Sequence, residues 1–333
     1  MDLHQIIRRG IEQKASDIHF TNESPPLFRI DGVLVPETDV KLGKSELVDI
    51  VKTLTGQRFD EYMERGELDF TYQADTIRLR VNVFRQRGVP AAALRLIAGE
   101  IPTFESLALP PVIETFANMQ QGLVLFTGPT GSGKSTTLAA LINQINNTRA
   151  CHIITLEDPI EFLHQHNKAV INQREVGKDT RSFSAALRSA LRQDPDVILV
   201  GELRDPDTIS TAITAAETGH LVLATLHTSN SPGAVDRIID SFPGHQQQQI
   251  RTQLADTLRA IVAQRLLPKK DETGRVVVCE VLIGTSGVKN LIREGKIHQI
   301  PTQMETGSNV GMQTFDQSLK KLQDMGLIES TSF

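Results

Sequence analysis

Residues Gly128 to Ser135 read GPTGSGKS and match the phosphate-binding pattern G-x-x-x-x-G-K-[ST] at every fixed position. Glycine adopts backbone conformations that turn successive N–H groups toward phosphate oxygens. The Lys134 ammonium would reach the β- and γ-phosphates, and the Ser135 hydroxyl would bind Mg²⁺. The segment predicts a site for a nucleoside triphosphate and Mg²⁺, formed by Gly128, Pro129, Thr130, Gly131, Ser132, Gly133, Lys134, Ser135 and Thr136.

Glu202 follows the apolar run Val197–Val200 and Gly201. The run predicts a buried strand, so the Glu202 carboxylate is expected at the carboxyl end of a strand, where open α/β sheets bind ligands. Glu202 is therefore a candidate for polarising the attacking water, directly or through Mg²⁺. By spacing alone, an ordinary carboxylate at the end of a strand is as good an interpretation as a catalytic one.

A second acidic segment follows the apolar run His152–Leu156. Glu157 and Asp158 come at the end of that predicted strand, and we expect them at the same edge of the sheet as Glu202. Carboxylates at such an edge suit Mg²⁺ binding and the positioning of water. A polar turn at Pro159 is the alternative interpretation.

Two histidines flank the apolar run Leu221–Leu226. His227 follows the run and is a candidate for contacting the γ-phosphate or responding to its loss. His220 precedes the run, so a whole strand separates the two imidazoles and a shared metal site is not expected. A structural histidine is the competing interpretation for His227.

Five arginines cluster around the last two predicted strands of the N-terminal half: Arg78, Arg80, Arg85, Arg87 and Arg95. A solvated basic face is one interpretation. The other is that some of these guanidinium groups reach the phosphates of a neighbouring subunit, where they would neutralise charge in the transition state.

The elements that must position these residues alternate along the C-terminal half. Apolar runs without polar alternation predict strands buried on both faces of a parallel sheet, and they lie at Leu123–Phe126, His152–Leu156, Val197–Val200 and Leu221–Leu226. Thr136–Ile145 predicts a helix directly after the phosphate loop. This order predicts an α/β domain over residues 112–333, with a mostly helical C-terminal region from about Gln246 onward.

The N-terminal half predicts a smaller α+β domain over residues 1–98. A helix is predicted at Leu3–Lys14, a hairpin turn at Asp31-Gly32, a helix at Ser45–Leu54, and strands at Leu68–Tyr72, Thr76–Phe84 and Ala91–Leu96. Residues 99–111 hold Pro102, Pro110 and Pro111, which predict a linker and hinge between the domains.

The composition limits the classes of function. The 333 residues suffice for two domains, and the formal net charge of -5 provides no overall positive field for nucleic acid. Cys151 and Cys279, the two cysteines, cannot form a disulfide framework or a four-cysteine zinc site. No signal peptide or membrane span is predicted. A cytoplasmic protein that reaches a membrane through partners is expected.

Taken together, four segments resemble the type II/IV secretion ATPase superfamily. GPTGSGKST, TLEDPIEF, DPDVILVGELRD and TGHLVLATLHTSN are similar, in this order, to its Walker A, Asp box, Walker B and His box. ASDIHF and RIDG extend the resemblance to the N-terminal half, so it covers nearly the whole chain.

The resemblance implies an ATP- and Mg²⁺-dependent homo-hexamer, with an N-terminal PAS-like domain and a C-terminal RecA-like ATPase domain in each subunit. It implies that Glu202 is the catalytic glutamate and that Arg80 and Arg95 are arginine fingers. It also implies that Glu157, Asp158 and Glu161 are the carboxylates of the Asp box and that His220 and His227 are the histidines of the His box.

Within the superfamily, GVKNLIRE at residues 287–294 resembles the AIRNLIRE motif of the type IV pilus retraction, or twitching motility, ATPases. GKIHQIPTQMETGS and GMQTFDQSL continue that similarity. The first three positions differ, with Gly287, Val288 and Lys289, although Lys289 keeps the basic charge. The resemblance implies docking on a platform protein at the inner face of the cytoplasmic membrane. On spacing alone, the segment favours an amphipathic helix without a special role.

Three alternatives stay open. A pilus or type II secretion assembly ATPase shares the four boxes, but it usually carries a four-cysteine zinc module. A nucleotide-gated regulatory or nucleic-acid-binding protein would also need the phosphate loop, although the net charge of -5 disfavours nucleic acid. A small-molecule kinase would need a lid segment, and the sequence indicates none.

Overall fold

The structure, a computed structural model, describes residues 2–30, 32–74, 77–97, 101–271 and 274–329. The chain divides into two units, one of residues 1–100 with 161–163 and the other of residues 101–160 with 164–333.

The described residues of the first unit form three α-helices and one six-stranded antiparallel sheet. The helices are α1 (Leu3–Glu12), α2 (Lys44–Thr55) and α3 (Phe59–Arg65). The strands are β1 (Asp17–Phe20), β2 (Leu27–Ile30), β3 (Val33–Pro36), β4 (Glu67–Ala74), β5 (Ile77–Gln86) and β6 (Val89–Ile97). Their order in the sheet is β3-β2-β1-β6-β5-β4.

Alternation along β5 sets the two faces of this sheet. Leu79, Val81 and Val83 are fully buried, whereas Arg78 and Arg80 lie on the opposite face. The sequence predicted α1, α2 and five of the strands closely, including the two strands that flank the hairpin turn. It missed α3 and β1, and Asp31 of the predicted turn lies outside the described residues.

The second unit contains the remaining elements. Its helices are α4 (Phe104–Leu107), α5 (Pro111–Thr115), α6 (Lys134–Thr148), α7 (Phe183–Ala190), α8 (Pro206–Glu217), α9 (Ser231–Asp240), α10 (Gly244–Thr257), α11 (Ser286–Arg293), α12 (Ile300–Thr306) and α13 (Phe315–Asp324). Its strands are β7 (Gly122–Thr127), β8 (His152–Glu157), β9 (Val170–Glu175), β10 (Val197–Val200), β11 (Leu221–Leu226), β12 (Leu258–Pro268) and β13 (Arg275–Ile283).

These strands form one mixed sheet in the order β13-β12-β7-β11-β10-β8-β9. Neighbouring strands run parallel from β12 to β9, and β13 is antiparallel to β12. Helices cover both faces, and successive residues of β7 enter different cores. Leu123 and Leu125 pack in one core and Val124 and Phe126 in the other.

The C-terminal region contains helices α10 to α13, as the sequence predicts, but it also contains a hairpin that was not predicted. β12 and β13 occupy 11 and 9 residues of it and form a hairpin. The segment around Leu258–Pro268 has apolar residues at spacings that also suit a helix. Its conformation is decided by pairing with β7, more than 120 residues earlier, and that long-range contact overrides local preference.

The predicted linker, residues 99–111, begins in residues that lie outside those described. From Ile101 onward the chain belongs to the second unit, and α4 and α5 occupy part of the predicted segment. Leu107 and Leu109 pack in the core that α6 covers. The hinge assignment stays a prediction.

None of the helices in the described part of the chain is long and apolar enough to cross a membrane.

Candidate active site

The phosphate loop lies between the end of β7 and the start of α6. Gly128, Gly131 and Gly133 have φ angles of 147°, 77° and 89°, which other residues rarely adopt. Gly128 is also enclosed, because a β-carbon there would collide with the Gln264 carbonyl and the Ser132 side chain. The chain therefore needs glycine at position 128 for both conformation and space.

Lys134 begins α6 and points back into the loop. Its Nζ donates hydrogen bonds to the carbonyl oxygens of Gly128, at 2.8 Å, and Pro129, at 3.0 Å. The Lys134 residue is only 8% exposed, so the ammonium is held inside the curve of the loop. Thr130 and Ser135 are exposed on the outer side, and Thr136 is half-buried.

The strand order brings the predicted site residues to one edge of the sheet. In the register, Thr127 pairs with Leu226, while Val200 pairs with both Ala224 and Leu156. The segments that follow β7, β11, β10 and β8 therefore leave the sheet side by side, about 4.8 Å apart per strand. They carry the phosphate loop, His227, Glu202 and Asp158, and Glu157 is the last residue of β8.

Glu202 and His227 are in contact at this edge. Glu202 Oε1 lies 3.4 Å from His227 Nε2, and Glu202 Oε2 lies 2.7 Å from the Arg204 guanidinium. Burial tends to raise the pKa of the Glu202 carboxyl. The Arg204 hydrogen bond and the charges of His227 and Arg204 outweigh burial and hold that pKa below its ordinary value. Glu202 is thus kept ionised.

Glu157 is half-buried at the end of β8. Its Oε1 accepts hydrogen bonds from the Thr155 hydroxyl, at 2.6 Å, and from Gln173 Nε2, at 3.2 Å. Asp158 is exposed. The hydrogen bond with Glu202 raises the pKa of Arg204, and the charge of Asp158 adds to that effect. Glu161 is exposed outside β8.

Threonines tie the segment around His227 to both neighbouring strands. Thr127, the last residue of β7, makes a hydrogen bond with the Thr228 hydroxyl at 2.6 Å and accepts one from the Thr228 N–H at 2.9 Å. The Thr225 hydroxyl donates to the carbonyl of Gly201. His227 therefore sits on a backbone fixed between the phosphate loop and Glu202.

His220 lies at the opposite edge of the sheet. It precedes β11, its carbonyl accepts from Gly122 N–H, and its Nδ1 lies 2.9 Å from the Ala215 carbonyl oxygen. The sequence expectation that the two histidines occupy opposite ends of one strand is met, and His220 has a local structural role.

Arg80 and Arg95 are direct cross-strand neighbours in the first unit. Arg80 pairs with Asp69 and Arg95 with Asp17, each at 2.9 Å, and their side chains are 50% and 69% exposed. Their role as arginine fingers stays a proposal.

The oxygen donors at the site suit Mg²⁺. Among the residues described, no group of three or more histidine, cysteine, aspartate or glutamate side chains could hold a metal ion. Mg²⁺ is commonly bound by one or two carboxylates together with substrate phosphates, and it prefers hard oxygen ligands. The Ser135 hydroxyl and the carboxylates of Glu157 and Asp158 are such ligands. The Ser132 hydroxyl, buried in the loop without a hydrogen-bond partner among the described residues, shows that the loop has unused polar capacity.

Three residues at the site were not predicted from the sequence. Arg204 follows Glu202 by two positions, and in an extended segment that spacing places both on one side. Thr228 follows a residue that was singled out. Gln264 lies on β12, and no local signal could have revealed it, because β12 itself was not predicted.

Comparison with known proteins identifies the family. Residues 1–325 match the family model described as Type II/IV secretion system protein. The chain is 44% identical to the protein of Pseudomonas aeruginosa named Type IV pilus retractation ATPase PilT, over 98% of this chain and 96% of the relative. It is 47% identical to the Twitching motility protein of Neisseria gonorrhoeae, over 91% of this chain and 82% of that relative.

A solved structure has the same fold throughout. The crystal structure of the pilus retraction motor PilT with bound ADP superimposes with a TM-score of 0.93 at 46% identity, and the match covers 99% of this chain and 95% of that one. With the phosphate loop and Glu202 at one sheet edge, these matches establish that the chain belongs to the Type II/IV secretion system protein family.

Proposed function

We propose that the chain is an ATP-hydrolysing motor that powers retraction of a type IV pilus. The observation that carries the proposal is the placement of the phosphate loop and the ionised Glu202 on one edge of a single sheet. The similarity to the retraction ATPase of P. aeruginosa, 44% identical over nearly the whole of both chains, supplies the link from hydrolysis to retraction.

The residues divide the chemistry between them. Lys134 and the N–H groups of the loop bind and orient the phosphates of ATP. Glu202, which is ionised at neutral pH, orients the attacking water and accepts its proton as the water attacks the γ-phosphate. His227, in contact with Glu202, follows the last residue of β11 and would register the presence of the γ-phosphate.

Mg²⁺ would be bound by Ser135 and the acidic edge formed by Glu157 and Asp158. When bound with ATP, it would neutralise charge on the β- and γ-phosphates. Removal of Mg²⁺ with a chelator should therefore abolish hydrolysis, and addition of Mg²⁺ should restore it.

The active form would be a homo-hexamer in which Arg80 and Arg95 act on the site of a neighbouring subunit. Hydrolysis would then drive rotation between residues 1–98 and 112–333, with residues 99–111 as the hinge. The ring would dock on a platform protein at the cytoplasmic side of the inner membrane. The resemblance to the superfamily supports these statements.

An assembly ATPase is the nearest alternative. The NLIRE segment, Asn290–Glu294, forms the end of α11 and the residue after it. Its resemblance to the motif of the retraction ATPases favours retraction over assembly. Loss of a retraction motor leaves surface pili, whereas loss of an assembly motor leaves none.

The rate of phosphate release from ATP by the Glu202→Gln variant tests the assignment of Glu202 as the catalytic glutamate. Glutamine keeps the shape of the side chain but cannot accept a proton, so kcat should fall by roughly a hundredfold or more. ADP affinity should stay within about twofold, since Glu202 acts on water. A kcat near that of the wild type would contradict the assignment.

A further inference from the structure

Gln264 on β12 lies beneath the phosphate loop. It is 0% exposed, and its Nε2 donates a hydrogen bond to the Thr137 hydroxyl at 2.8 Å. Thr137 is also buried, and its N–H donates to the Gly133 carbonyl at 3.0 Å. Gln264 therefore holds the first turn of α6, which carries Lys134 and Ser135.

The backbone of β12 supports the loop at further points. Ala263 pairs with Thr127, so the next residues along each strand, Gln264 and Gly128, come side by side. The Gln264 carbonyl occupies the space that a side chain at position 128 would need. Leu266 lies under Gly133, 3.7 Å from where a β-carbon would be. β12 thus packs against both ends of the phosphate loop, at Gly128 and at Gly133.

Burial of an amide at position 264 is not explained by stability. Gln264 Oε1 is buried and has no hydrogen-bond partner among the residues described. Leaving a buried acceptor unpaired costs free energy. Leucine would fill a similar volume without that cost. The hydrogen bond from the Gln264 amide to the Thr137 hydroxyl explains instead why a polar side chain occupies this position.

We infer that Gln264 is a positioning residue for nucleotide binding, acting through Thr137 on the turn that carries Lys134 and Ser135. The inference rests on the proposed function and extends it to a residue outside the four boxes. It also implies that the shape of the phosphate loop depends on β12 as well as on the loop's own sequence.

The test compares ADP affinity in the full-length protein. Gln264→Leu and Thr137→Val each remove the hydrogen bond and keep the side-chain volume. We expect the Kd for ADP and the KM for ATP to rise on the order of tenfold in both, with a smaller change in kcat. The double variant should bind ADP no more weakly than Gln264→Leu, because the hydrogen bond between Gln264 and Thr137 is already absent there. Gln264→Leu also removes the 3.9 Å contact of Nε2 with Cys279 Sγ, which Thr137→Val keeps.

Two controls separate positioning from general packing. Thr137→Ser keeps the hydroxyl and should restore an affinity close to wild type. Asn146→Leu removes another buried amide, which donates to the Gln165 carbonyl near the C-terminal end of α6. It should leave the Kd for ADP unchanged, whatever its effect on the melting temperature.

The outcomes distinguish the two proposals. Wild-type ADP affinity in Gln264→Leu, or an equal loss of affinity in Asn146→Leu, would overturn the inference about Gln264. Wild-type ADP affinity in Lys134→Ala would overturn the nucleotide site itself.

Discussion

The carboxylate of Glu202 lies 3.4 Å from the imidazole of His227, although 24 residues intervene in the sequence. The contact exists because β10 and β11 are parallel neighbours, so the residues that follow them leave the sheet together. It joins the candidate for water activation to the candidate for γ-phosphate contact. Arg204, 2.7 Å from the same carboxylate, completes the charge balance.

The ion pair with Arg204 predicts a pH dependence. The native pKa of Glu202 lies below its ordinary value of 4.5. Ionised Glu202 therefore adds stability above about pH 4.5, and the contribution is lost as the pH falls through the lower native pKa. Because Arg204 is 62% exposed, the pair should contribute only about 0.2–1 kcal/mol.

Arg204→Gln should thus lower the free energy of unfolding slightly at pH 7, and the difference from wild type should vanish at acidic pH. The acid limb of the ATPase rate should also move to higher pH. Urea unfolding at pH 7 and below pH 4, with a pH–rate profile, measures both. An acid limb that stays in place would contradict the assignment of Arg204.

Gly128 and Gly131 should differ in their tolerance of alanine. Both have φ angles in the left-handed region, but a β-carbon at position 128 meets the Gln264 carbonyl, whereas at position 131 it meets nothing within 4 Å. Gly128→Ala should cost about 3 kcal/mol of stability or more and abolish ADP binding. Gly131→Ala should cost about 1 kcal/mol. Equal losses in the two variants would contradict the described loop geometry.

The hydrogen bonds between Thr127 and Thr228 should matter for both stability and activity. Thr127→Val preserves shape but leaves the Thr228 N–H without its partner, which should cost about 1–3 kcal/mol. Because His227 is adjacent, kcat should fall by roughly tenfold. Thr211→Val, at an exposed hydroxyl that bonds only within its own helix, is the control. Thermal unfolding and phosphate release measure the two effects, and a kcat unchanged by Thr127→Val would contradict the coupling.

The sequence predicted the parts of this site that depend on local spacing. The phosphate loop is a contiguous pattern, and Glu202, Glu157 and His227 each follow an apolar run that became a strand. Their side-by-side arrangement depends on the strand order, which no local pattern specifies. From the sequence, Glu202 and His227 were therefore separate candidates, and their contact could not be predicted.

The C-terminal hairpin of β12 and β13 shows more clearly what local sequence patterns cannot predict. The apolar spacing in β12 also suits a helix, yet the segment pairs with β7 and packs against the phosphate loop. Gln264 could not be singled out, because its partner Thr137 is 127 residues away. Arg204 was within reach, since it lies two residues beyond Glu202 in an extended segment.

Arg80 and Arg95 should affect activity far more than stability. Each pairs with an aspartate of its own sheet at an exposed position, so Arg80→Ala and Arg95→Ala should cost under about 1 kcal/mol in stability. As arginine fingers, each should contribute on the order of 10³-fold to kcat. Rings assembled from Arg80→Ala and Lys134→Ala subunits should regain activity, because an intact phosphate loop then meets an intact arginine. Mixtures as inactive as either parent would contradict action between subunits.

Pilus behaviour in a strain whose only copy of the protein carries Lys134→Ala tests the central claim most directly. Loss of the Lys134 ammonium removes a phosphate contact, and the motor should no longer turn over ATP. Imaging of labelled pili, with extension and retraction scored separately, should show pili that extend and persist on the surface without retracting. A strain that bears no surface pili, or one that retracts them at the wild-type rate, would contradict the account.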